Sequence, residues 1–253
     1  MQTFSRKMST LTALPLVLAA LSNLPAQAAP GIGNWTTVVN NADLVPDDPS
    51  LRTFNSYNQP SVNNNQLVVF RARSKGGEGG EPAHGVYTRD MQQITPALRI
   101  FDRNTLVPAP NNLQTTFVEP PSFPRIDQWT DTVASRGNHQ PVWRYVVGTD
   151  PQTGEDIETR VGTTGIYANP AGFLLTAASN VGAAPGYEVF AVPGILPPIK
   201  FDVFPGAPAV TGDSTLVFKG NYTLPEGSRT GVYYRDFLYP SGETQPAIKI
   251  ADS

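Results

Sequence analysis

The chain has 253 residues, of which 22 are Gly and 25 are Pro, and only 15% are charged, a composition that disfavours long solvent-facing helices. Cys is absent, which excludes disulfides, Fe–S clusters, Cys-ligated zinc, thiol nucleophiles and lipidation of a Cys. The formal net charge of −3 disfavours electrostatic binding of nucleic acid.

Residues 1–28 follow the order of an export signal. Basic Arg6 and Lys7 come first, an apolar stretch runs from Leu11 to Leu21, and Ala26-Gln27-Ala28 supplies a small-residue exit. The apolar stretch is too short for a hydrocarbon core, which needs about 20 helical residues. The pattern therefore predicts a cleaved signal peptide, a mature domain over 29–253 that begins at Ala29, and a secreted or periplasmic location. No second apolar stretch of spanning length occurs downstream, so no membrane span is expected in the mature chain.

Val38-Val39-Asn40-Asn41-Ala42-Asp43-Leu44-Val45-Pro46 predicts a leading strand and a Val-Pro step. A first unit, near 47–107, then opens at Pro60-Ser61-Val62. Its strands are expected at Gln66 to Arg73, Gly85 to Thr88 and Ile94 to Phe101, with Gly76-Gly77-Glu78-Gly79-Gly80 as a hairpin loop. A second unit, near 108–192, comes after the Val-Pro step Leu106-Val107-Pro108 and carries Pro124-Arg125-Ile126 and Gly165-Ile166-Tyr167. Between these landmarks Trp143 to Val147 and Ile157 to Val161 flank a Pro- and Gly-containing turn, which predicts an inserted hairpin. Its central strand has Val133-Ala134-Ser135 where the other units have Phe.

A third unit, near 193–253, repeats the landmarks of the first. Pro208-Ala209-Val210, Leu216-Val217-Phe218 and Gly231-Val232-Tyr233-Tyr234-Arg235-Asp236 match Pro60-Ser61-Val62, Leu67-Val68-Val69-Phe70 and Gly85-Val86-Tyr87-Thr88-Arg89-Asp90. Strands are expected at Ser214 to Lys219, Gly231 to Tyr234 and Pro246 to Ala251. Pro-rich stretches such as Glu119 to Pro124 and Pro193 to Pro208 serve as connections. The resulting fold class is all-β, a propeller-like array of about three four-stranded antiparallel units, read as an incomplete ring. Ile248 to Ser253 resembles Leu98 to Arg103, after which a further unit begins, so the chain is expected to be the N-terminal part of a longer one and to self-associate alone.

These Pro-x-Ile/Val, Val-x-Phe, Gly-Ile/Val-Tyr and Val-Pro landmarks resemble those of secreted bacterial repeat proteins related to the choice-of-anchor class. The resemblance implies a propeller-like fold and no assigned activity.

The residues with chemical potential fall outside known patterns. His84 and His139 sit in different units, without the spacing of a zinc hydrolase, and are expected as surface loop residues. Nucleophile-elbow, Walker and dinucleotide-binding patterns are absent. Asp90 and Asp236, each preceded by Arg, are expected to close turns or pair with a neighbouring strand. Asp150, Asp156 and Glu158 fail the calcium-loop spacing and are expected at a hairpin tip. Asp47-Asp48 is expected in a solvated turn. Asn34-Trp35-Thr36 and Asn221-Tyr222-Thr223 match a glycosylation triplet, which is coincidence in a bacterial protein. Trp143 and Tyr145 could stack on sugars but alternate like a half-buried strand face. No residue is assigned a catalytic, cofactor-binding or metal-ligating role, and no cofactor is expected.

The reading these patterns favour is a secreted non-catalytic protein that binds or scaffolds at the cell surface or in the extracellular matrix. A polysaccharide or another exported protein is its expected partner. The alternative is a secreted carbohydrate-active enzyme with a carboxylate pair in a central funnel, and two or more unpaired inward carboxylates would distinguish it.

Overall fold

Short runs of Val, Phe, Tyr and Ile bounded by Pro, Gly and Asn cannot bury an apolar stripe as helices, but they alternate well on a pleated surface. The structure, a computed structural model, describes residues 35–76, 80–109, 111, 114–139, 144–160, 164–212, 215–238, 243–244 and 247–253. The expected export signal, Asn34, Trp143 and part of the Gly-rich loop lie outside these residues. The chain divides into two units, Met1–Thr36 and Thr37–Ser253. The second unit is all-β, with strands joined by turns and two short 3-10 turns at Pro170–Gly172 and Glu188–Phe190. Among the described residues no helix is long and apolar enough to cross a membrane.

Sheet I contains β1 (Phe54–Tyr57), β2 (Ser61–Val62), β3 (Leu67–Ser74), β4 (His84–Asp90) and β5 (Leu98–Asp102). Sheet II contains β6 (Phe117–Glu119), β7 (Arg125–Ile126) and β8 (Val133–His139). A separate hairpin of β9 (Arg144–Thr149) and β10 (Asp156–Arg160) then intervenes before β11 (Thr164–Ala168) and β12 (Leu175–Ser179). Sheet III contains β13 (Ala209–Thr211), β14 (Thr215–Leu224), β15 (Gly227–Leu238), β16 (Glu243–Thr244) and β17 (Ile248–Asp252). In each sheet a broken edge strand pairs with a long second strand, which pairs with a third, which pairs with a fourth, all antiparallel.

The registers of the three sheets coincide. Gly85, Gly165 and Gly231 on the third strands oppose Asp102, Ser179 and Asp252 on the fourth, and one β-bulge comes next at Val86/Tyr87, Ile166/Tyr167 and Val232/Tyr233. Phe70 opposes Tyr87 and Phe218 opposes Tyr233, whereas Ser135 opposes Tyr167. All three tyrosines are fully buried. Each lies over the glycine two residues before it, where a Cβ would come within 2.8, 2.9 and 2.5 Å of the hydroxyl oxygen. Only Gly leaves room for the ring along the strand, which is the physical content of the Gly-x-Tyr landmark.

The sheets pack face to face in series. Val69, Val86 and Phe101 of sheet I share a core with Phe117, Ile126, Val133 and Tyr167 of sheet II. Ala134, Ile166 and Ala178 on the other side of sheet II share a core with Phe201, Phe204, Leu216, Phe218 and Tyr233. The Tyr87 side of sheet I is covered by Val38, Val39 and Val45. Val45 and Val107 of the Val-Pro steps donate their N–H groups to Arg52 O and Thr115 O, both at 2.9 Å. Val192, which also precedes a Pro, donates to Ile199 O at the same distance.

Two expected strands differ. Ile94 sits in a turn with φ +52°, closed by Asp90, so β5 starts only at Leu98. The β14–β15 hairpin extends well past Lys219, because its turn lies at Pro225-Glu226.

Candidate functional site

Each sheet's first edge strand breaks where Pro removes a ladder donor. β1 ends at Tyr57 and β2 begins after Pro60. β6 ends at Glu119 and β7 begins after Pro124. In sheet III a single bridge, Val203 to Asn221, precedes β13, which begins after Pro208. β2 lies against β7, and β7 against β13, so the three breaks converge. They enclose a cavity of about 300 Å³ lined by Asn58 from the first break, Pro121, Ser122 and Phe123 from the second, Gly206 and Ala207 from the third, and Arg71 and Arg136. A second cavity of about 280 Å³, lined by Ser56, Tyr57, Arg73 and His84, also contains Asn58 and Arg71.

The two arginines occupy one register position. Arg71 opposes Val86 and Arg136 opposes Ile166, while the third residue at this position, Lys219, opposes Val232 on the exposed side of sheet III. Arg71 Nε donates to His84 Nε2 at 3.0 Å. Burial, reinforced by the Arg71 charge, pushes the His84 imidazole down to about 4, so it is neutral at pH 7 and accepts without adding charge. Arg73 Nε donates to Ser56 Oγ at 2.9 Å. Arg136 donates from its backbone N to Ser122 Oγ at 3.2 Å and from Nη1 to Phe204 O at 2.7 Å. Burial lowers both the Arg71 and Arg136 guanidinium pKa values, and Glu119 opposes that shift. Glu119 itself accepts from Asn138 Nδ2 at 3.3 Å.

This arrangement can hold an anion. Among the described residues, guanidinium groups outnumber the nearby carboxylate, Glu119, and the adjacent imidazole is neutral. Among the described residues no three His, Asp or Glu side chains gather as a metal site. A larger cavity of about 600 Å³ near Asp43, Asp47 and Asp48 is internally neutralised, because these carboxylates meet Arg89 at 3.9 Å, Arg99 at 3.3 Å and Arg52 at 2.8 Å.

The residues singled out in the sequence are distributed differently. Neither histidine is a surface loop residue. His84 starts β4 in the cleft, and His139 is buried in β8, its Nε2 3.2 Å from Asn111 Nδ2 in a network that reaches Tyr167. Asp48 is not solvated either, since its side chain is fully buried and grips Arg52 through Nε and Nη2, both at 2.8 Å. Asp90 accepts from the N–H groups of Gln92 and Gln93, and Asp236 accepts from Thr215 Oγ1 at 2.6 Å. Asp150 closes the β9–β10 turn by accepting from Gln152 and Thr153. Sequence reasoning missed Asn58, Arg71, Glu119, Ser122, Phe123 and Arg136. The available signal was a basic residue immediately after Phe70, Ser135 and Phe218.

No family model matches the chain, and no curated protein is similar enough to it to count as a relative.

Proposed function

We propose that this chain is a secreted, non-catalytic protein of the choice-of-anchor type, a propeller-like array whose cleft binds a polymer at the cell surface or in the extracellular matrix. The shared registers of the three sheets support the repeat reading, and the N-terminal residue order supports export. The observation that carries the binding reading is the cationic lining of the cavity where the edge-strand breaks meet. A glycosidase there would need two carboxyl groups about 5 to 9.5 Å apart, whereas Glu119 faces Arg71 and Arg136.

Co-sedimentation of the secreted protein with insoluble envelope or matrix polysaccharide, with soluble sugar assayed in the same tubes, tests this. The expected result is retention on the polymer without sugar release. Release that disappears in Glu119→Gln would replace this reading with the enzymatic one.

A further inference from the structure

The chemistry of the cleft narrows the ligand. Arg71 uses only its Nε within the protein, and among the described residues its terminal guanidinium nitrogens donate to nothing. Arg136 is fixed by Phe204 O, and its Nε is buried without a partner. Two guanidinium groups, Arg71 and Arg136, line the cavity of about 300 Å³, which has no carboxylate among its described lining residues, and Arg73 and the neutral His84 line the adjoining one, on a chain whose net charge is −3. Guanidinium groups held in place are suited to planar or multi-oxygen anions.

The rest of the lining is mixed. Pro121, Ala207 and Phe123, which is 40% exposed, offer apolar surface, while Asn58 and Ser122 offer amide and hydroxyl groups. The volume, about 300 Å³, lies at the small end of ligand pockets and suits one ring. An extended acidic peptide would bind by adding a strand, but Pro60, Pro124 and Pro208 interrupt all three edges at this point.

We propose that the cleft takes one acidic pyranose residue of a polysaccharide. Its anionic group lies between Arg71 and Arg136, its ring packs on Phe123, and its hydroxyls meet Asn58 and Ser122. This rests on the polymer-binding reading and goes further by naming the ligand class.

Titration calorimetry of the mature chain tests it with three oligosaccharides of equal length: a uronic acid oligomer, a sulfated oligomer and a neutral one. Saturable binding of one or both acidic oligomers is expected, weakening as salt rises, with none of the neutral oligomer. Binding of the uronate alone assigns a carboxylate ligand, and of the sulfated oligomer alone a sulfate ligand. Arg71→Ala should weaken binding roughly ten- to hundredfold, the loss of a charge-assisted hydrogen bond. Phe123→Ala should weaken it less and leave its salt dependence intact, and Arg71→Lys should recover part of the affinity. Arg71 carries one side-chain bond within the protein, to His84, and Arg71→Lys together with the melting curve separates its loss from the loss of ligand contact. Equal binding of acidic and neutral oligomers, undiminished binding in Arg71→Ala, or no binding of any oligomer would overturn the proposal. If co-sedimentation with a polymer persists in those cases, the polymer-binding reading stands and only the acidic-sugar assignment falls.

Discussion

The two seams between sheets use the same register positions and divide their volume in opposite ways. In the seam between sheets II and III the covering residues are small, Ala134 and Ala178 beside Ile166, and the covered sheet supplies its own rings. Phe201, Phe218 and Tyr233 form a triad with centroids 4.9 to 5.8 Å apart, much like Phe54, Phe70 and Tyr87 in sheet I at 5.0 to 6.0 Å. In the seam between sheets I and II the covered sheet has Ser135 where the others have Phe, and the covering sheet donates the missing ring. Phe101 sits 4.5 Å from Phe117 and 6.3 Å from Tyr167. A core of this kind fixes total volume and leaves open which sheet provides it. On the outer face of sheet III the equivalent position, Val232, is 38% exposed, and Ile248 is 50% exposed beside it, with no covering sheet among the described residues.

The largest effects should come from removing a ring from either seam. Phe218→Ala and Phe101→Ala should each cost about 3 to 5 kcal/mol in urea unfolding, and a much smaller loss for Phe101→Ala would break the equivalence of the two triads. Asp48→Asn should cost about 1 to 3 kcal/mol, because it weakens a charge-assisted fork that is buried on the carboxylate side. Ser135→Phe should overpack the first seam at about 1 to 3 kcal/mol. Combined with Phe101→Ala it should be partly rescued, and strict additivity of the two losses would contradict the exchange of volume across the seam.

Acid should act in two stages, both readable in melts across pH. Unfolded His84 takes a proton near its ordinary 6.5 and folded His84 only near 4. Stability therefore falls as pH drops between those values, by at most about 1.4 kcal/mol per pH unit, and His84→Asn should flatten this limb. The second stage belongs to two carboxylates held below their ordinary range. Arg52 lowers Asp48, while for Asp127 the N–H groups of Trp129, Thr130 and Gly212 outweigh the opposing effect of burial. Their contribution is present above the ordinary carboxylate range and is lost as pH falls through the lower folded values. The smallest change in stability, within about 0.5 kcal/mol, is expected for Val232→Lys. This variant should nevertheless reduce concentration-dependent association in sedimentation equilibrium if the outer face of sheet III pairs with a second copy.

What was legible in the sequence was local. Gly-x-Tyr and the Phe of the Val-x-Phe-type strands mark strands because each motif is completed within its own sheet, and the inserted hairpin is marked by its own turn. Ser135 looked like a departure because its compensating ring, Phe101, belongs to another sheet. The Val192-Pro193 step was hidden by the loop from Asn180 to Ala191, which displaces it from the spacing of the other two. His139 and Asp48 resemble surface residues by type, and their burial goes with partners that residue type does not reveal, Asn111 and Arg52 among them. The cleft was illegible for a similar reason. Arg71 and Arg136 lie far apart in the sequence with no motif around them, and the convergence of three proline-broken edges brings them to one cavity.

That convergence is tested most directly by hydrogen exchange of residues 29–253 with and without a saturating acidic oligosaccharide. Slowed exchange is expected together at Ser56 to Asn58, at Ser122 and Phe123 and at Gly206 and Ala207, with the β9–β10 hairpin and the outer face of sheet III unchanged. Protection confined to one break, or to the β9–β10 hairpin alone, would contradict a single binding cleft formed by all three sheets.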